Sequence, residues 1–201
     1  MGNVKSIDIK KQSTTKQEFI SALKKVSQRT DITFQFNRTK AIEAILYLAK
    51  KVSDSDIYGI CKLLYLVDKT SLEKYGRFIF GESYYAMKEG PTPSNAYDLL
   101  KEVAKTPIDE LSVDGNQVIA LRNPDLDCLS DSDIECLDQI ITMYGNTPNW
   151  VRAKDAHDNA WKKAWNKRRS SQSVRMTIES IAELLADSDD LISYLSNSDI
   201  K

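Results

Sequence analysis

The chain is predicted to be mainly α-helical, of the α+β class: a single-domain helical bundle carrying two small antiparallel β-hairpins. Three observations predict this. Apolar residues recur three or four positions apart in segment after segment, the spacing of one helix face. Only two stretches combine strand-like alternation with turn residues. No fixed-period repeat or low-complexity linker divides the 201 residues, a length that suits one domain with tails. A hydrophobic share of 41% beside 28% charged residues fits an ordinary core in a soluble chain. The net charge of −1 supplies no global field for nucleic acid or an anionic membrane.

Residues 1–17 are polar and aperiodic, and a mobile terminus is expected. Phe19, Ala22, Leu23 and Val26 mark a short amphipathic helix at 18–28, which packs on its own domain or serves as a partner-binding appendage. Residues 33–36 read as either a strand or a linker plugging an apolar groove. Thr39 is placed to cap a helix that buries Ile42, Ile45, Leu46, Ala49 and Val52. The polar break 53–56 then caps a second helix, on which Ile57, Ile60, Cys61, Leu64, Asp68, Leu72 and Tyr75 share a face. Lys62 falls on the opposite face. Gly76 stops this helix, and residues 77–88 are expected to form two strands joined at Gly81. Gly90, Pro91, Thr92 and Pro93 read as a rigid loop outside any strand or helix interior. Ser94 is the expected cap of a helix containing Tyr97, Leu100 and Val103, ended before Pro107.

Residues 111–113 and 117–121 flank Asp114-Gly115-Asn116, the strongest hairpin signal in the chain. Ser130 and Asp133 predict a capping box, in its Asp form, with Leu129 and Ile134 at the spacing of a hydrophobic staple. Leu137, Ile141 and Tyr144 continue that helix to Gly145. Thr147 and Pro148 read as cap and first residue of another helix carrying Trp150, Ala153 and His157, followed by Trp161 and Trp165. Ser173 leads the last clear helix, with Val174, Ile178, Ile181 and Leu185 inward. The acidic, serine-rich residues 187–201 are expected to be a loosely held tail.

Constellations for chemistry are sparse. His157 is the only histidine, so no second imidazole can share a metal with it, and no nucleophile elbow accompanies it. It reads as a structural, hydrogen-bonded histidine. Asp68 on an apolar face needs a partner; it either pins the following hairpin to the helix or anchors a binding groove, and the former is favoured. Phosphate-cradling glycine patterns are absent. Lys162, Lys163, Lys167, Arg168 and Arg169 form a basic cluster, read as a solvated face with nucleic acid or an acidic partner as the alternative. Phe78, Phe80, Tyr84 and Tyr85 cannot all face inward if the 77–88 strands alternate, so part of that hairpin, Lys88 included, is the expected partner-contact surface. Cys61, Cys128 and Cys136 are widely spaced and never form CxxC, which suits reduced thiols in a cytoplasm. No signal peptide or membrane span is expected.

Lys62, Tyr65, Asp68, Tyr75-Gly76, Gly81, Tyr84, Met87, Lys88 and Gly90-Pro91-Thr92-Pro93, continued by His157 and Trp161, resemble the Panacea domain of SocA-like antitoxins and phage-associated proteins. The resemblance spans roughly 38–185. It divides the chain into an N-terminal extension (1–37), a Panacea-like domain (38–186) and an acidic tail (187–201). It implies a non-enzymatic antitoxin, without cofactor or metal, that neutralises a cognate protein toxin encoded by the adjacent gene through direct contact. A related reading, also implied by the family, is an adaptor that delivers the toxin to a cytoplasmic protease; a separate class, resting on the basic cluster at 162–169, is a nucleic-acid-binding regulator.

Overall fold

The structure, a computed structural model, describes residues 32–197; the helix expected at 18–28 and the polar segment before it lie outside the described residues. Eight α-helices, a three-stranded sheet and a two-stranded sheet make up the described fold. This is the mainly α architecture with small antiparallel β elements that the periodicity predicts.

Residues 33–36 form neither strand nor helix. Phe34 and Phe36 are half-buried against the core, and the Phe34 ring lies 5.1 Å from that of Phe78. Helix α1 (Arg38–Lys51) is capped by Asn37 rather than Thr39: the Asn37 side chain accepts from the Lys40 N–H. The Asn37 N–H is itself bonded to the Phe80 carbonyl, which fixes where the extended chain turns helical.

Helix α2 (Ile57–Tyr75) starts at the Asp56 cap, whose carboxylate accepts from the Gly59 N–H. It ends at Gly76, which adopts φ 65° and returns its N–H to the Leu72 carbonyl. Its expected face is buried as far as Leu72, but so are Leu63, Leu66 and Val67 on the other side. The helix therefore has almost no solvent face, and Lys62, expected on one, is only 3% exposed. Tyr75, placed by periodicity on the buried face, is instead 39% exposed, with its hydroxyl donating to Glu135.

The segment after Gly76 departs most from expectation. Residues 77–83 form no strand. The hairpin is β1 (Tyr84–Met87) paired with β2 (Gly90–Pro93), so the stretch read as a rigid loop is a strand and Gly81 is not its turn. Prolines are tolerated here for two reasons. β2 is an edge strand, in a sheet ordered β2-β1-β5, where β5 is Val174–Arg175. Pro91 and Pro93 lie opposite Ala86 and Tyr84, and the Tyr84 carbonyl accepts from the Met176 N–H next to β5. The backbone polar groups at Tyr84 thus point away from β2, and the facing proline needs no N–H. Gly81, with φ 63°, is required for another reason: a Cβ there would overlap the Gln35 carbonyl.

Helix α3 (Ser94–Val103) has no cap from Ser94. The buried Glu82 carboxylate instead accepts from the backbone N–H groups of Asn95 and Ala96 and from the Asn95 side chain. Strands β3 (Leu111–Asp114) and β4 (Gln117–Ala120) form the hairpin predicted around Gly115. After a short 3₁₀ turn (Leu126–Cys128), helix α4 (Asp131–Tyr144) begins with the predicted Ser130–Asp133 capping box.

Thr147 and Pro148 precede helix α5 (Asn149–Ala156), with Pro148 at the cap position and no side-chain cap. The helical pattern through Trp161 and Trp165 is broken at His157, and Asp158 caps a separate helix α6 (Asn159–Asn166). Ser173 does not lead a helix: Val174 lies in β5, paired with β1, and α7 (Ile178–Ala182) starts from a Thr177 cap. Within the acidic C-terminal segment, Ser188–Asn197 is helical (α8), with Ile192 and Leu195 buried. No described helix is long and apolar enough to cross a membrane.

Candidate functional site

The motif residues from α2, the β1–β2 hairpin and the α5–α6 break meet in one place. Asp68 Oδ1 accepts from the Ile79 N–H at 2.7 Å, and its Oδ2 lies 2.9 Å from the Tyr84 hydroxyl. Asp68 is buried, and these two bonds tie α2 to an irregular stretch and to β1. Tyr65 donates to Asp158 at 2.7 Å, Lys69 adds 2.8 Å to the same oxygen, and Asp158 caps α6 through the Trp161 N–H. Trp161 Nε1 donates to the Met87 carbonyl at 2.9 Å, holding the hairpin end against α6. Lys62 Nζ donates to the Pro91 carbonyl at 3.0 Å, serving the outward edge of β2. Gly90 takes φ 107°, and a Cβ on it would lie 2.9 Å from His157 Nε2 and 3.1 Å from Lys62 Cε. Lys62, Gly90 and His157 therefore converge on one point.

Above that point a cleft of about 860 Å³ opens between α2 and α5. Tyr58 and Lys62 line it from α2, and Trp150, Ala153, Lys154 and His157 from α5 and its end. Glu89 and Lys162 close its sides. The helices approach closely because residue 59 is glycine: a Cβ there would overlap the Asn149 amide, which Asp54 and Asp56 hold in place. The rim is aromatic and open, with Tyr58 48% and Trp150 68% exposed. A smaller hollow of about 170 Å³ continues past Lys62 and Tyr58 along the hairpin to Met87, Lys88, Thr92 and Tyr97.

Electrostatics at the floor are unusual. Burial lowers the proton affinity of the Lys62 ammonium, which has one hydrogen bond for three donors. Burial, and then the neighbouring Lys62 charge, hold His157 below its ordinary range, so its imidazole is neutral at pH 7. The hydrogen bond expected of His157 is not formed. Its Nε2 is buried without a partner, and the ring packs 4.1 Å from Trp161 instead. Among the described residues no group of His, Cys, Asp and Glu side chains could hold a metal. The arrangement suits capture of a side chain or anionic group: an apolar trough, two exposed aromatic rings and a cationic floor.

Of the residues expected to meet a partner, Phe78 and Phe80 are buried because 77–83 is not a strand and alternation does not govern it, and Tyr84 is an inward residue of the alternating strand β1. Tyr85 is half-buried beside the cleft's extension, and Lys88 is 86% exposed in its side chain. The basic cluster is partly committed: Lys163 pairs with Glu183, Arg168 lies over the Trp165 ring, and Lys162 faces the cleft. Sequence reasoning missed Tyr58 and the openness around Trp150. It also missed the buried ions of the frame. Asp133 binds Lys40 and Arg77, Glu43 binds Arg122, and fully buried Arg152 donates to the Asp54, Tyr144 and Gly145 carbonyls.

A model of the antitoxin SocA-like, Panacea domain family matches residues 60–162, within the wider 38–185 span of the sequence resemblance. No curated protein and no solved structure matches the chain. The matched stretch contains Lys62, Asp68, Gly90, His157 and Trp161, the residues whose contacts build the hairpin, its anchors and the cleft floor. With more than half of its length covered by that match, the chain belongs to the SocA-like Panacea-domain family of antitoxins.

Proposed function

We propose that this chain neutralises a protein toxin by direct, non-catalytic binding, with the α2–α5 cleft as the main contact surface and Tyr85 and Lys88 extending it. The toxin is encoded by the adjacent gene, and the encounter takes place in the cytoplasm. The observation that carries the reading is the cleft itself within an antitoxin-family domain. Its rim presents a tyrosine and a tryptophan largely to solvent, and interface energy concentrates in such aromatic anchors. The burial of Phe78, Phe80 and Tyr84 moves the surface away from these three rings.

Co-expression with the neighbouring gene tests it, scored as growth rescue followed by co-purification. Rescue by the native chain is expected, and Trp150→Ala should reduce it while leaving the unfolding midpoint unchanged. A neighbour that is harmless, or toxic and not rescued, removes the antitoxin reading. Rescue untouched by Trp150→Ala and by Tyr58→Ala moves the contact elsewhere. Rescue accompanied by loss of the toxin protein, rather than by a stable complex, would replace inhibition with delivery to a protease.

A further inference from the structure

We infer that the α2–α5 cleft takes an acidic segment of the partner protein, a carboxylate seated among Lys62, Lys154 and Lys162 beside a large apolar side chain packed on Tyr58 and Trp150. This rests on the binding reading above and names the chemistry of what is bound.

The charged residues lining the cleft are mostly cationic, with Asp56 and Asp158 behind its wall. Lys62, Lys154 and Lys162 line it against Glu89 alone, and the Glu89 carboxylate lies 3.8 Å from the Lys88 ammonium. Lys154 and Lys162 are exposed and form no ion pair among the described residues, whereas Lys163 next door is paired. The chain as a whole carries −1, so this excess is local and marks a local complement. The floor is also unsatisfied from within. Lys62 has a single acceptor, the Pro91 carbonyl, and His157 Nε2 has none. A carboxylate arriving at the cleft would complement an ammonium that burial leaves short of acceptors.

The apolar part follows from the same geometry. The cleft's volume is that of a pocket holding several side-chain groups. Trp150 and Ala153 on α5, with His157 just past its end at the same spacing, line the open space. Nucleic acid fits less well. A strand needs a basic track, but the adjoining Lys163 and Arg168 are turned to Glu183 and Trp165.

Selection of a random peptide library on the full-length immobilised protein tests the inference whatever the identity of the toxin. Recovered peptides are expected to share an Asp or Glu next to an aromatic or long aliphatic residue. Synthetic copies should bind at least tenfold more weakly to the Lys154→Glu/Lys162→Glu double variant and to Trp150→Ala. All three side chains are exposed, so the variants should keep the native unfolding midpoint. Recovery of no peptide, a neutral or basic consensus, or affinity unchanged by charge reversal would overturn the inference. So would single-stranded oligonucleotide binding lost in the same double variant, which would assign the lysines to phosphates. Growth rescue by the same variants separates the two levels. An acidic consensus without rescue by the native chain keeps the cleft chemistry and removes the antitoxin reading. Full rescue by the charge-reversed variant does the opposite.

Discussion

Asp68→Asn should leave the protein standing where Asp68→Ala does not. The side chain is fully buried, and its Oδ2 shares the Tyr84 hydroxyl with the Leu64 carbonyl, at 2.9 and 3.1 Å. A phenol has one proton and can donate to only one of these acceptors. All bonds form together only if Asp68 is itself protonated: Oδ2–H donates to Tyr84, Tyr84 donates to Leu64, and the Ile79 N–H donates to Oδ1. Burial pushes the Asp68 carboxyl well above the ordinary carboxylate range, against the bonds from Ile79 and Tyr84, and the nearby Glu82 charge pushes the same way. Asparagine reproduces this neutral pattern, its amide N–H₂ replacing the acid proton.

The magnitudes separate the variants. Alanine strands the buried Ile79 N–H, at roughly 1–3 kcal/mol, and leaves a small cavity worth about 1 kcal/mol more. A loss of about 2–4 kcal/mol corresponds to a drop in Tm on the order of 5–15 °C for a domain of this size. Asparagine should stay within about 1 kcal/mol of the native chain at acidic pH. The sign of the pH effect gives a second readout. Unfolded Asp68 loses its proton near pH 4 while the folded chain keeps it, so its contribution is greatest below about pH 4 and is lost as pH rises to the raised folded value. The Asn variant should therefore gain on the native chain as pH climbs from about 4. Urea and thermal unfolding across that range measure both. Equal losses for Asn and Ala, or an Asn variant that gains on acidification, would mean an ionised carboxylate and refute the argument.

Two further outcomes are expected from the cleft floor. Gly90→Ala places a side chain at φ 107° against His157 and Lys62 and should cost about 1–3 kcal/mol, read by chemical denaturation; a neutral result would show that β2 shifts freely. His157 is held neutral in the fold, so its contribution is present above about pH 6.5 and is lost as pH falls through its lowered folded value. Unfolding midpoints should thus fall as pH drops below about 6.5, and His157→Gln should flatten that slope; an unchanged slope would assign it to other groups.

Legibility in the sequence followed the range of the interaction. Local devices were readable: the Ser130–Asp133 box, the Asp56 cap, the Gly76 stop and the turn at Gly115 depend on residues within a few positions of each other. The cap of α3 was not, because Glu82 reaches it across β1 and β2 while Ser94 offers the expected pattern and no bond. Periodicity misplaces Lys62 because it assumes one wet face, and a helix buried on nearly all sides of its middle turns has almost none there. The 77–88 stretch misleads because aromatic alternation resembles a strand, while the bonds that hold 77–83 irregular, Ile79 N–H to Asp68 and Asn37 N–H to the Phe80 carbonyl, come from other segments of the chain.

The α5 stripe is the instructive case. Trp150, Ala153 and His157 have the spacing of a core face, and the spacing is real, but it faces an open cleft. Periodicity reports that one side of a helix is apolar and is silent on whether anything covers it. Two features visible only in three dimensions decide the matter here. Gly59 brings α2 close enough to form a wall, and the Lys62 ammonium at the base is tied to the Pro91 carbonyl of an edge strand. Those contacts also relate the family match to the cleft. Apart from Tyr58 and Gly59, every residue lining the cleft falls within 60–162. The cleft is thus made by the same stretch that defines the domain, and the anchors Asp68, Tyr65 and Trp161 hold its walls by hydrogen bonds to segments far along the chain. Substituting the exposed Trp150, Lys154 or Lys162 therefore alters the surface of the cleft without touching the hydrogen-bonded frame beneath it.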